Sequence, residues 1–198
     1  MQYITISREY GCKGRSVGLL VAEHFGVTLY DRDIIRETVK LSGLSYEYLE
    51  EEGETISRTD SIMRLITPVH YEEKDTLFDM QKDVILNFAK KGPCVFLGRC
   101  ADEILDEAGL DAFNVFLSAS DYHRMLSVAE KIGKEPGDAA YKEMHKIDAR
   151  RIAYYTRYSG RKWGDYKNFD LMLKTDDLSV EAAADVIIKA YEHAKKGE

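Results

Sequence analysis

Near the amino end, the stretch Ser7-Arg8-Glu9-Tyr10-Gly11-Cys12-Lys13-Gly14-Arg15-Ser16 brings glycines, cations and hydroxyls into one turn-prone loop. Glycines let backbone N–H groups approach a phosphate, and a helix beginning just beyond adds the positive end of its dipole. Lys13 and Arg15 supply cationic donors, and Ser16 offers a hydroxyl in the first helical turn. The chemistry of such a set is anion binding. The strict pattern G-x-x-x-x-G-K-[ST] is not met, because Gly14 stands where the lysine belongs, with Lys13 before it and Arg15 after. A glycine turn joining a strand to a helix, with surface cations beside it, fits the same residues. The loop by itself leaves both readings open.

Further arginines bear on that choice. Leu97-Gly98-Arg99 ends an apolar run, and a later segment reads Ile147-Asp148-Ala149-Arg150-Arg151-Ile152-Ala153-Tyr154-Tyr155-Thr156-Arg157-Tyr158. On a helix, Arg150, Tyr154 and Arg157 share one face through i, i+4 and i+7 spacing. Any one of these arginines taken singly is a solvated helix face. Set with Lys13, Arg15 and Arg99 in a chain of net charge −7, they point to a local polyphosphate site. Transfer between phosphates asks for charge neutralisation and positioning more than covalent chemistry.

Other reactive residue types take plainer readings. Asp102 and Glu103 could face an acceptor or a metal, but a solvated helix start carries more weight. His70, His123 and His145 lack partner motifs and read as surface or core residues. Cys12 and Cys100 are expected near each other at one sheet edge, as ordinary buried or half-buried thiols rather than a redox pair. Trp163 is expected to pack the loop before the last strand. The acidic patch Glu50-Glu51-Glu52 and Glu54 reads as a solvated helix end rather than a metal site.

Strands and helices alternate around these residues. Tyr3 to Ser7 alternate polar and apolar as a short strand, and helical spacing from Ser16 places Val17, Leu20, Val21 and Phe25 on one face, with Gly26 as C-cap. Val27–Tyr30 is a second strand, followed by Asp31 as N-cap of a helix through Ile34, Ile35 and Val39. An irregular stretch over 43–70 precedes a long amphipathic helix, His70 to Lys90. Cys94–Leu97 and Ala112–Leu117 are nearly all apolar, the mark of strands buried on both faces, and Phe169–Leu173 is a weaker strand. Helices are expected over 120–132, 137–157 and 179–195. The alternation implies an α/β fold, a parallel sheet with helices on both faces, and ligands bind beyond the carboxyl ends of such strands.

The chain has 198 residues, 44% apolar and 32% charged, which suits a single domain with a substantial core. Its apolar runs fall far short of the roughly 20 residues a membrane span needs, and the start has no signal-peptide pattern. Three cysteines without metal-like spacing fit a reduced, cytoplasmic compartment. A net charge of −7 argues against bulk binding to nucleic acid or anionic membrane. Oligomeric state is not legible.

Over nearly its whole length the chain resembles the cytidylate kinase-like family of P-loop nucleoside monophosphate kinases. The resemblance rests on Ile4-Thr5-Ile6-Ser7-Arg8-Glu9-Tyr10-Gly11 with Gly14-Arg15, Tyr30-Asp31 with Ile34-Ile35, Gly98-Arg99, the segment bearing Asp148, Arg150, Arg151 and Tyr155, and Phe169-Asp170-Leu171. It implies a three-layer P-loop fold with a five-stranded parallel sheet, a nucleotide-binding insertion over 43–70 and an arginine-bearing lid over 133–165. It also implies transfer of the γ-phosphoryl group of ATP, with Mg²⁺, to a nucleoside monophosphate. On this resemblance Gly11, Cys12, Lys13, Gly14, Arg15 and Ser16 hold the ATP phosphates. Asp31, Arg99 and Asp102 lie toward the acceptor, while Arg150, Arg151 and Arg157 close from the lid.

Three positions depart from cytidylate kinases. Gly14 removes the P-loop lysine, which makes Arg15 the preferred substitute for its charge and Lys13 the second choice. Leu97 and Cys100 stand where aspartates flank Gly-Arg, which loosens the expectation of cytosine as the base. CMP or dCMP is the leading acceptor. The alternatives are a kinase of another small molecule and a non-catalytic nucleotide-binding regulator with a degenerate loop.

Overall fold

A computed structural model of the protein describes residues 2–42 and 70–196. The elements run β1 (Tyr3–Arg8), α1 (Gly14–Phe25), β2 (Thr28–Tyr30), α2 (Arg32–Ser42), α3 (His70–Ala89), β3 (Cys94–Leu97), α4 (Ala101–Glu107) and β4 (Ala112–Ser118). They continue as α5 (Asp121–Ile132), α6 (Asp138–Ser159), a 3-10 turn (Tyr166–Asn168), β5 (Leu171–Lys174) and α7 (Val180–Lys196). The strand–helix alternation read from the sequence is therefore present. The stretch expected as an insertion lies outside the described residues as far as 69.

The sheet has five parallel strands in the order β2-β3-β1-β4-β5. Because side chains alternate across a strand, its two faces bury separate cores. Ile4 and Ile6 of β1, Val95 and Leu97 of β3, and Val115 and Leu117 of β4 pack against Val17 and Val21 of α1 and Ile187 of α7. Tyr3, Cys94 and Phe96 face the other way, onto Ile85 and Phe88 of α3 and Ile104 and Leu105 of α4. Each fully buried aliphatic side chain contributes about 1.5–3 kcal/mol. Among the described residues, no helix is long and apolar enough to cross a membrane.

Register brings the carboxyl ends of the central strands together. Ile6 lies opposite Leu97 on one side and Val115 on the other, and the N–H of Gly98 continues the ladder to the carbonyl of Ile6 at 3.1 Å. The loops after β1, β3 and β4 thus emerge side by side. α1 begins at Gly14, two residues earlier than the apolar spacing indicated. Lys13 adopts the left-handed conformation (φ 60°), and its carbonyl accepts the N–H of Val17 at 3.2 Å.

Candidate active site

The loop between β1 and α1 folds under tight constraints. Gly11 has φ 92°, and a Cβ there would lie 2.7 Å from the carbonyl oxygen of Arg124, so α5 rests directly on the loop backbone. Gly14 is confined differently. A Cβ on it would fall 2.9 Å from both Cβ and Cγ of Arg8, the last residue of β1. Cys12 is buried beneath the turn, its thiol donating to the carbonyl of Glu9 at 3.0 Å, and burial pushes that thiol up to about 11. It therefore offers a ligand its backbone, not a thiolate.

The end of β3 is the second constrained segment. Gly98, Arg99 and Cys100 have φ of 74°, 62° and 53°, three consecutive left-handed residues. For the two non-glycine residues this costs roughly 1–2 kcal/mol each, and it turns the chain from strand into α4 at the sheet edge. A Cβ on Gly98 would fall 2.2 Å from Nη1 of Arg8, so Arg8 crosses from the Gly14 side of the loop to Gly98.

A cleft of about 660 Å³ opens above these segments, its walls including Arg8, Lys13, Arg15, Ser16, Arg99 and Arg151. Arg151 is mostly buried and donates from Nη1 to the carbonyl of Arg8 at 2.8 Å. Arg15 stands at the rim, 60% exposed, with Nε donating to Asp31 at 3.1 Å. A smaller cavity of about 220 Å³ lies on the far side of the turn, between α5 and the start of α7. The two cavities share Gly11, Lys13, Ser127 and Glu130.

The predicted site residues do not all converge. Gly11, Lys13, Gly14, Arg15, Ser16, Asp31, Arg99 and Arg151 line the cleft, and Cys12 lines the smaller cavity. Arg150 and Arg157 do not line the cleft, and the guanidinium of Arg157 sits over the Tyr158 ring at 5.5 Å. Tyr154, on the face predicted for those two arginines, is buried and donates to Gln81 of α3 at 3.1 Å. Tyr154 thus packs inward, while Arg150 is half-buried and Arg157 exposed.

Asp102 is not the solvated helix start expected of it. It is 3% exposed and accepts a hydrogen bond from the hydroxyl of Tyr155 at 2.7 Å. Burial raises its pKa, against the lowering effect of that bond. The cause is tertiary: α6 lays Tyr155 over the amino end of α4. Glu103 is likewise drawn in, 2.9 Å from Nε of Arg161. His123 and His145, read from the sequence as surface or core residues, are exposed, with His123 2.9 Å from Asp176 and His145 3.4 Å from Asp121. Trp163 packs edge-on against Phe116 at 5.0 Å. Cys12 and Cys100 are both buried but belong to different core clusters.

Two features escaped the sequence reading. One is Arg8. Registering G-x-x-x-x-G-K-[ST] on residues 8–15 shows an arginine at the first glycine position, the signal that could have found it. The other is a buried ionic cluster behind the loop. Arg124 pairs with Asp148 of α6 and, at 2.8 Å, with Asp121. Asp148 also accepts the N–H of Tyr10 at 2.8 Å, and Glu9 accepts that of Ala119 at 3.1 Å. Burial raises the Glu9 carboxyl despite that N–H and Arg124, whereas its bond to Arg124 lowers that of Asp121.

The chain matches the cytidylate kinase-like family over residues 3–177. It is 25% identical to a cytidylate kinase of Thermoplasma volcanium, across 98% of this chain and 94% of that protein. Among solved structures, it superimposes on an uncharacterized protein from Eubacterium ventriosum with a TM-score of 0.71 and 24% identity, covering 97% of this chain and 99% of that one. A shikimate kinase from Bacteroides thetaiotaomicron shares the fold with a TM-score of 0.58 and 12% identity, over 96% of this chain and 98% of the other. A parallel sheet in this order, the constrained turn after its first strand and a match spanning most of the chain agree: the protein belongs to the cytidylate kinase-like family.

Proposed function

We propose that the protein transfers the γ-phosphoryl group of ATP to a nucleoside monophosphate, with CMP or dCMP as the leading acceptor. The observation that carries this reading is the cation-walled cleft over the β1–α1 turn, joined through Gly11 and Lys13 to a second, smaller cavity. A triphosphate laid across the turn would place its nucleoside in the smaller cavity and its terminal phosphate in the larger. Backbone N–H groups from Gly11 to Ser16 and the start of α1 then face the phosphates.

The acceptor oxygen of a monophosphate is already an anion, so no general base is needed. What the reaction requires is neutralisation of charge between two anions brought into line. Arg99 and Arg151 line the cleft, and on this reading their forked guanidinium groups would bind phosphate oxygens of donor and acceptor. Among the described residues no group of three or more His, Cys, Asp or Glu is arranged to hold a metal ion. Leu97, buried in the core, supplies no side-chain oxygen at the end of β3. Magnesium would arrive on ATP, with the Ser16 hydroxyl the side chain of this loop that could help to hold it, and would supply charge neutralisation when bound.

The test is γ-labelled ATP with Mg²⁺ and a panel of nucleoside monophosphates, the products separated by chromatography. Label in one nucleoside diphosphate is expected and names the base. Label staying in ATP with every monophosphate would overturn the reading. A second reading keeps the transfer and changes the acceptor to a small metabolite. It is favoured by Leu97 and Cys100 beside Gly98-Arg99 and by the fold shared with a shikimate kinase, and shikimate in the same panel tests it.

A further inference from the structure

Loop residues 8–15 carry their charge and their glycine in inverted places. On the pattern G-x-x-x-x-G-K-[ST], Arg8 falls on the first glycine, Lys13 on the second and Gly14 on the lysine. Lys13 keeps a glycine-like backbone, with φ 60°. Gly14 and Arg8 are complementary in space. The Cβ and Cγ of Arg8 would stand 2.9 Å from any Cβ on Gly14, so the arginine stem fills the volume a lysine at 14 would need. Its guanidinium reaches the end of β3, where a Cβ on Gly98 would fall 2.2 Å from Nη1. Both glycines are thus required for Arg8 to lie as it does. The carbonyl of Arg8 is held by Nη1 of Arg151 at 2.8 Å, and Arg8 lines both the main cleft and a small adjoining cavity shared with Arg99 and Arg151.

We propose that Arg8 carries the phosphate-contacting charge that the standard pattern assigns to the lysine at position 14, charge and glycine having exchanged places across the loop. The proposal rests on the phosphoryl-transfer reading and names a residue within it. Arg15, the choice from sequence, stands at the rim with its side chain 60% exposed. Arg8 instead spans the floor between the β1 and β3 ends. A guanidinium there donates two parallel N–H bonds to phosphate oxygens where a lysine makes a point contact, and it keeps its charge at any working pH.

Titration calorimetry of Mg·ATP binding tests the exchange, with circular dichroism to confirm folding. Arg8→Gln keeps the stem against Gly14 and removes the charge. It is expected to weaken binding about tenfold to a hundredfold, as loss of charge-assisted bonds does. The double variant Arg8→Gly/Gly14→Lys restores glycine and lysine at those two positions, with Lys13 keeping its glycine-like backbone, and is expected to bind within about threefold of wild type. Gly14→Lys alone forces a side chain into the Arg8 stem and is expected to bind no better than wild type. A folded Arg8→Gln that binds as wild type does would overturn the proposal and leave the phosphotransferase reading intact. Should Arg8→Gln fail to fold, a folded double variant decides: binding within about threefold supports the exchange, and a loss beyond about tenfold refutes it. Wild type that binds no Mg·ATP would remove the underlying reading, and the proposal with it.

Discussion

The carboxylate of Asp148, midway along α6, accepts a hydrogen bond at 2.8 Å from the backbone N–H of Tyr10, in the loop after β1. The same carboxylate pairs with Arg124 of α5, whose backbone carbonyl packs on Gly11. Loop, α5 and α6 are therefore held as one unit, and Arg151, three residues past Asp148, is brought to the carbonyl of Arg8. The geometry of the cleft depends on a charge pair that lies behind it.

Breaking that pair on one side is expected to be costly. The Arg124 and Asp148 side chains are 4% and 9% exposed, so Asp148→Ala leaves a buried guanidinium short of a partner. Such truncations cost about 3–5 kcal/mol, whereas replacing both partners by apolar residues of similar volume is often near neutral. Urea denaturation should show a large fall in midpoint for Asp148→Ala and a much smaller one for Arg124→Met/Asp148→Leu. Equal losses would show that the pair is not coupled.

Gly98→Ala should harm both stability and turnover. Its φ of 74° and the 2.2 Å approach to Arg8 leave no room for a methyl group. Strain of roughly 1–2 kcal/mol from the backbone alone lowers the melting temperature by several degrees in a domain of this size. Displacement of Arg8 should lower kcat in the labelled-ATP assay by about tenfold or more. A variant with wild-type melting and turnover would contradict the packing described.

Asp102 gives a pH dependence with a definite sign. Burial raises its pKa above the ordinary 3.8, so the folded protein holds this proton more tightly than the unfolded chain. Stability from this group is present at low pH and declines as pH rises from about 3.8 through the raised value. Asp102→Asn keeps an acceptor for the Tyr155 hydroxyl and removes the charge. Compared with wild type by urea denaturation, it should gain more stability at pH 8 than at pH 4. A gain that does not change with pH would show that Asp102 titrates alike in both states.

The three cysteines should be inert in the native protein. All are buried, with Cys12 pushed up to about 11 and Cys94 to about 12 by burial, and Cys100 raised as well. Ellman's reagent at pH 8 is expected to find almost no fast thiol in the folded protein and three after unfolding. A rapid native reaction at Cys100 would mean that α6 lifts from α4.

Local pattern carried much of this protein's architecture. Continuous apolar runs such as Cys94–Leu97 mark buried parallel strands because both faces of the sheet are covered, and the glycines after β1 mark the turn into α1. The stretch expected as the acceptor-binding insertion, 43–70, lies outside the described residues up to 69 and adds nothing to this comparison. What pattern could not decide are contacts between distant segments. Arg150 and Arg151 are adjacent, and helix geometry rotates them about 100° apart, so the docking of α6 alone selects Arg151 for the cleft. Asp102 has the composition of a solvated helix start until Tyr155 covers it. Arg8 ends β1, and only Gly14 and Gly98, far apart in the chain, leave it a path across the loop. Periodicity records which face of an element is apolar, but which polar side chains meet is set by how those faces pack.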